Sequence, residues 1–315
     1  MLPSYDALVD DIAQAPVASR RARLQRLPPQ SFFLVSAVFH YLGPAFAVLL
    51  FAHLDVLGVA WLRIAGAAAV FAVWRRPWRL LAGVGRRGIG LLARLGVVLA
   101  VMNALFYLAV ARLPLATVAA VEFLGVVLLA TVGVRAPRNA AALALTVAGV
   151  AALTDLRLAG QPLGFVFAFG NCALFMGYVI LGHRVANTDA GTGALSGIDQ
   201  LGAAMLVAAV VVTPVGLGGA VAAFPHPELL LAGVGVGVCS SVIAYVSDQL
   251  AMARLPRASF ALMLALLPML GTVIGAIVLD QLPTAQDLVG ITLVVAGVAI
   301  HQIPADEAGR DQSGA

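Results

Sequence analysis

Apolar runs long enough to cross a lipid bilayer recur along the whole chain, and no gap between them could house a soluble domain. A span needs about 20 mostly apolar residues. Ten candidates follow one another: 31–51, 54–74, 88–111, 114–134, 139–154, 162–183, 195–215, 228–252, 257–279 and 284–303, the fifth being short. Breaks fall at punctuation such as "RRPWR" (75–79), "RAPRN" (135–139), "TPVGLGG" (213–219) and "FPHPE" (224–228). With 62% hydrophobic and only 11% charged residues, the chain holds more apolar surface than one aqueous globule can hide. The expected class is all-α integral membrane.

Orientation comes from arginine, which supplies all nineteen basic residues. Fifteen lie in the two tails and the even-numbered gaps: Arg20, Arg21, Arg23, Arg26, Arg75, Arg76, Arg79, Arg86, Arg87, Arg135, Arg138, Arg184, Arg254, Arg257 and Arg310. The odd-numbered gaps hold only Arg112 and Arg157, while Arg63 and Arg94 fall inside spans. This asymmetry predicts cytoplasmic termini by the positive-inside rule. The net charge of +4 then reflects topology and contact with anionic membrane lipid, and no nucleic-acid partner is expected. "SRRARLQRL" (19–27) has a twin-arginine look, but the apolar run after it is span-length and nine more follow; a permanent first span is expected. Cys172 and Cys239 lie within spans without metal-ligand or CxxC spacing.

The chain also repeats itself. "ARLP" occurs at 111–114 and 253–256, each copy opening a span. "TVAGVA" (146–151) and "VVAGVA" (294–299) follow at nearly the same offset, two spans later. Duplication at this offset yields two units of five spans. Five is odd, so the second unit enters the membrane from the opposite side. That is an inverted repeat, an architecture associated with secondary transporters whose substrate site lies near the midplane. The expected layout is a cytoplasmic tail (1–30), a first five-helix repeat (31–154), a second (162–303) and a C-terminal tail (304–315). "GVGVG" (233–237) and "GTVIG" (271–275) place glycines four apart, as close helix packing requires. Pro44 and Pro268 predict kinks that neighbouring helices can tolerate.

Against this background the polar residues inside spans stand out. An ionised side chain at a helix centre costs roughly 2.5–3.5 kcal/mol on insertion scales. Glu122 nevertheless sits within "ATVAAVEFLGVVLLATVGV" (116–134), which carries no other charge. Glu122, Arg63 in "AWLRIAGAAAV" and Asn103 in "AVMNALFYLAV" all count to a depth of roughly 12–13 Å at 1.5 Å per residue. A cation, an amide and a carboxylate can thus line one cavity. A buried Arg–Glu pair that merely fixes helix register is the structural alternative, although such pairs rarely add net stability. Intramembrane ionisable groups are by default candidates for a substrate or proton path. Asn171 and Tyr178, seven residues apart on one face of the sixth span, either bind substrate or bond across helices. Asp248, near the cytoplasmic end of the eighth span, is open to interface solvation or function, and His40 to a core or relay role. His53 and Asp55 read as solvated loop residues.

These residues carry a resemblance. "VMNALFYLAVARLPLATVAAVEFLGVVLLA" (101–130) resembles the threonine/homoserine exporter branch of the drug/metabolite transporter superfamily, with EamA-type repeats. The matching positions are Asn103, Phe106–Tyr107, Pro114 and Glu122–Phe123. "WLRIAGA" (61–67) is similar to that branch's second span, with Arg63 as its arginine. "GYVILGHRVA" (177–186) resembles the end of its sixth, at Tyr178 and Arg184. "SSVIAYVSDQLAMARLP" (240–256) resembles its eighth, with Tyr245, Asp248 and Arg254–Pro256 in register. The resemblance covers residues 31 to 303 and implies ten helices in a 5+5 inverted repeat, efflux of amino acids or related metabolites, and no covalent cofactor. It brings Tyr107 and Tyr245 into the candidate site. Val126 and Leu267 stand where many members have proline and glutamate, and Asp248 replaces a more usual glutamate. Glu122 is left as the principal carboxylate.

The combined reading is an inner-membrane secondary exporter of small amino acids of the threonine/homoserine kind or related metabolites, with protons as coupling ion. Export of cationic drugs is the rival within transport. A secondary exporter needs no ATP motif, and no GxxxxGK[ST] occurs; an integral-membrane enzyme would need converging nucleophiles or metal ligands such as an HExxH helix, and none is visible. A channel or non-transporting sensor fits the inverted repeat poorly.

Overall fold

In a lipid bilayer every backbone N–H and C=O must find its partner inside the segment, so apolar runs of this length fold as helices. The computed structural model describes residues 28–83, 85–133, 137–154, 161–188, 194–252 and 266–300, and among the described residues the chain is helical with no strand. In order come α1 (Pro29–Leu50), α2 (Val56–Arg75), the short α3 (Trp78–Gly83), α4 (Arg86–Val110), α5 (Leu115–Gly133) and α6 (Pro137–Thr154). Then follow α7 (Pro162–Thr188), α8 (Ala194–Ala220) with a 3-10 turn (Val221–Ala223), and α9 (Pro227–Gly237). A π segment (Val238–Ile243) leads directly into α10 (Ala244–Met252), and α11 (Leu266–Leu279) and α12 (Ala285–Ile300) complete the described chain.

Six helices are long and apolar enough to cross a membrane: Gln30–Leu50, Val56–Arg75, Arg86–Val110, Pro162–Gly182, Gly197–Ala223 and Pro227–Ala251. Shorter apolar helices cover Leu115–Gly125, Leu267–Leu279 and Ala285–Gly297. The chain is a multi-pass membrane protein. Its surface agrees: Val210, Leu231 and Ile277 are largely exposed, while Arg63, Asn103, Glu122 and Asn171 are buried. Apolar residues face outward and polar ones inward, the reverse of the usual aqueous arrangement. Arg20, Arg21, Arg23, Arg26, Arg135, Arg157, Arg254, Arg257, Arg310 and the second "ARLP" copy lie outside the described residues, as does the side chain of Arg184.

Helix boundaries follow local chemistry. Proline occupies the first turn of α1 and α9, where its missing N–H is no loss. Asp55 caps α2 by accepting from the Leu57 N–H at 3.0 Å. Pro44 lies within α1 and Pro214 within α8.

Close contacts define how the helices run. In α2 and α8, Gly58 meets Gly219, Trp61 meets Gly216, and Phe71 meets Gly202. Toward the other end of the pair Arg75 bonds Asp199 at 2.6 Å. One index falls as the other rises, so the pair is antiparallel. α6 and α12 do the same: Gly149 lies against Gly290 and Val294, and Gly297 against Ala142 and Thr146. α4 packs on α7, α1 packs on the α9–π–α10 rod, and α5 touches α6, α7 and α11. In "GVGVG", Gly233 receives Leu62 and Gly237 receives the backbone at Arg63 and Ala67. A side chain at Gly237 would collide with the α2 main chain.

Candidate functional site

α2 carries Arg63 into the protein interior, directly opposite Gly237. The guanidinium is buried. Its Nε donates to Ser241 Oγ at 3.0 Å and its Nη2 to the Ser240 carbonyl at 3.3 Å. Tyr107 of α4 lies beneath it, with the guanidinium carbon 5.2 Å from the ring centroid. Both serine contacts come from the π segment. There the Ser240 hydroxyl donates to the Val236 carbonyl at 2.6 Å, and such back-bonding loosens the regular ladder. Gly43 of α1 approaches the Ser240 backbone too closely for any side chain between them. A widened turn is a recurrent feature of functional sites; here it presents a carbonyl and a hydroxyl to a buried cation.

Glu122 arrives from the other side, on α5. Gly125, one turn later, packs against Cys172 and Met176 of α7. That approach brings Asn171 alongside, and its Nδ2 donates to Glu122 Oε1 at 3.1 Å. The Cys172 thiol contacts the Glu122 carbonyl at 4.0 Å. Both Glu122 and Asn171 are buried.

Arg63 and Glu122 feel each other's charge, yet each is held by neutral groups and they share no direct hydrogen bond. A simple register-fixing ion pair is not what the geometry displays. The amide that meets Glu122 also differs from the one its depth suggests. Asn103 Nδ2 turns back to the Leu99 carbonyl of its own helix at 2.7 Å, and its side chain lies within reach of Tyr245. Equal depth does not fix rotation about the helix axis, and Asn171 takes the place opposite the carboxylate.

The remaining residues complete one cluster. The rings of Tyr178 and Tyr245 lie 5.9 Å apart. His40 is 5.5 Å from Tyr41 and 6.3 Å from Tyr245. Asp248 is partly buried, with Ser36 of α1 within reach. Direct contacts thus join Arg63 to Tyr107, Glu122 to Asn171, and Tyr178 to Tyr245, and all eight sequence-derived candidates, Arg63, Asn103, Tyr107, Glu122, Asn171, Tyr178, Tyr245 and Asp248, lie buried or half-buried in the protein interior. Ser240, Ser241 and Tyr41 join it without having been expected. The serine pair is visible as "VCSSV" inside an apolar span; nothing in the sequence marks Tyr41.

Among the described residues, three buried side-chain polar atoms have no hydrogen-bond partner: Tyr41 Oη, Tyr107 Oη and Asn171 Oδ1. All three are in this cluster. Tyr107 Oη lies near Arg63 and Ser240 without a well-formed bond to either. Tyr41 is close enough to Glu122 to feel its charge. An unpaired buried polar atom costs about 1–3 kcal/mol, and native structures keep few of them. Here three occur in the interior that also buries Arg63 and Glu122.

Comparison with known proteins gives the following. The threonine/homoserine exporter RhtA of Salmonella typhimurium (strain SL1344) is 30% identical over 260 residues, covering 81% of this chain and 84% of that protein. RhtA of Escherichia coli (strain K12) is 30% identical over 261 residues, with the same coverage. No protein-family model matches the chain. A crystal structure superposes with a TM-score of 0.57 at 19% identity, over 86% of this chain and 97% of the other, which speaks to the fold alone.

Proposed function

The chain belongs to the threonine/homoserine exporter branch of the drug/metabolite transporter superfamily, and on that premise we propose that it exports a small zwitterionic amino acid in exchange for protons. The observation that carries the reading is the separated pair of buried charges. Arg63 and Glu122 occupy one cluster but are each supported by neutral groups, which matches the two ends of an amino acid. Guanidinium offers five N–H donors in a planar fork suited to a carboxylate. The Nε and one Nη2 bond engage the π segment, and the remaining donors serve the substrate carboxylate together with Tyr107 Oη. At the other end, Glu122 and the acceptor Asn171 Oδ1 receive the ammonium.

The same carboxylate provides coupling. A carboxylate can exist as acid or anion, so Glu122 can load and release a proton in the proposed cycle. In this scheme Glu122 takes a proton when the cavity faces the acidic exterior and gives it up inside. The substrate ammonium then competes for the anion. Proton and amino acid occupy the site alternately, and exchange needs no further machinery.

We also propose the inverted repeat, with units 31–154 and 162–303, ten helices, both termini cytoplasmic and the protein in the bacterial inner membrane. Support comes from the two copies of the repeated "AGVA" motif. Aligned on it, Thr146 corresponds to Val294 and Gly149 to Gly297. Gly149 touches Val294, and Gly297 touches Thr146. A contact that exchanges its own members is the mark of a two-fold relation. The antiparallel α2–α8 and α6–α12 pairs run as equivalent helices of oppositely inserted units would. The α4–α7 and α1–α10 contacts exchange in the same way.

A metabolite panel tests the function. Cells overproducing the protein should lose intracellular threonine or homoserine faster than cells without it and tolerate toxic analogues better. Movement of lipophilic cations alone would replace this reading with cation export.

A further inference from the structure

Two of the three unpartnered atoms serve groups common to every amino acid. Asn171 Oδ1 accepts beside a carboxylate and suits the ammonium; Tyr107 Oη lies beside a guanidinium and suits the carboxylate. Tyr41 Oη is left over. Its side chain is fully buried and has no partner. The ring rests against Gly271 of α11, whose other neighbour is Ala119, nearly one turn before Glu122 on α5. His40 closes one edge. A phenol can both donate and accept a hydrogen bond, so another hydroxyl, which also does both, complements it.

We propose that Tyr41 is the specificity determinant, its phenol recognising a hydroxyl on the side chain of the transported amino acid. The assignment rests on the export reading above and adds to it the feature that separates hydroxyl-bearing substrates from aliphatic ones of equal size. A site built to bond a hydroxyl rejects an analogue that lacks it, because the analogue leaves a buried polar group unpaired.

The test compares threonine with valine, which replaces the hydroxyl by a methyl group, in proteoliposomes holding the full chain. Wild-type protein should prefer threonine by about tenfold or more in kcat/KM. Tyr41→Phe should reduce that preference by about tenfold. An unchanged ratio would overturn the assignment, and so would equal losses for both amino acids, which would make Tyr41 part of the shared transport machinery. Stabilisation of the wild-type protein in detergent supplies a readout independent of the variant. Threonine should raise the unfolding temperature more than valine at equal concentration, and equal stabilisation would overturn the proposal. Wild-type protein that moves neither amino acid would instead remove the export reading on which the proposal stands.

Discussion

The α6–α12 seam and the Arg63–Glu122 centre use the same materials, glycines at close approach and buried polar side chains, to opposite ends. Along the seam each polar group is closed off locally. Thr146 Oγ1 donates to the Ala142 carbonyl at 2.9 Å, Gln286 Nε2 to the Ala152 carbonyl at 2.6 Å, and Asp287 Oδ2 accepts from the Thr284 N–H and hydroxyl. At the centre, glycine contacts bring charged helices together and three polar atoms remain without partners. The seam demonstrates that this fold can satisfy its buried polar groups. The orphans at the centre are therefore a local property, and in the proposed function a polar substrate would complete them.

That contrast can be broken by substitution. The largest effect is expected from Glu122→Gln, which keeps the shape and the contact with Asn171 but cannot carry a proton. Proton-driven threonine flux in proteoliposomes should fall to background while membrane insertion is retained. A misfolded variant would make Glu122 structural, like the seam.

Next is Arg63→Gln, which removes the proposed carboxylate partner. The apparent KM for threonine should rise by about 10- to 100-fold, the range for losing hydrogen bonds to a charged group. An unchanged KM would assign Arg63 to the architecture.

The seam should respond in the other currency. Gly149→Leu and Gly297→Leu each force a side chain into the opposing helix and should destabilise by about 1–3 kcal/mol. Thermal unfolding in detergent reads this, and the protein that remains folded should keep its preference among amino acids. Because the contact is reciprocal, the two variants should lose similar amounts; a large difference would argue against the two-fold relation. The smallest effect is expected from Asp248→Asn. That residue is half-buried, with Ser36 of α1 as its neighbour, and KM should shift by about twofold or less, on the scale of one weak polar contact.

The spans and their polar intruders were legible because lipid imposes harsh rules. Length and hydropathy located the six helices long enough to cross a membrane, and the cost of a buried charge singled out Arg63 and Glu122. Rotation about each helix axis was not legible. Depth alone put Asn103 with the two charges, whereas packing at Gly125 and Cys172 put Asn171 there. The π segment was hidden for a related reason. It depends on Ser240 bonding back to Val236 and on α1 pressing close at Gly43, which no periodicity encodes. Tyr41 carries no local signal; its importance comes from the absence of a partner in three dimensions.

The central claim is that Glu122 carries substrate and proton alternately, and coupled flux tests it most directly. Proteoliposomes containing the wild-type protein can be loaded with threonine and given an acidic exterior, with threonine efflux and proton entry recorded together. The account predicts that the pH gradient drives threonine out against its own gradient, that threonine efflux draws protons in, and that reversing the pH gradient reverses net movement. Threonine moving at the same rate with and without the gradient, with no accompanying proton entry, would contradict it.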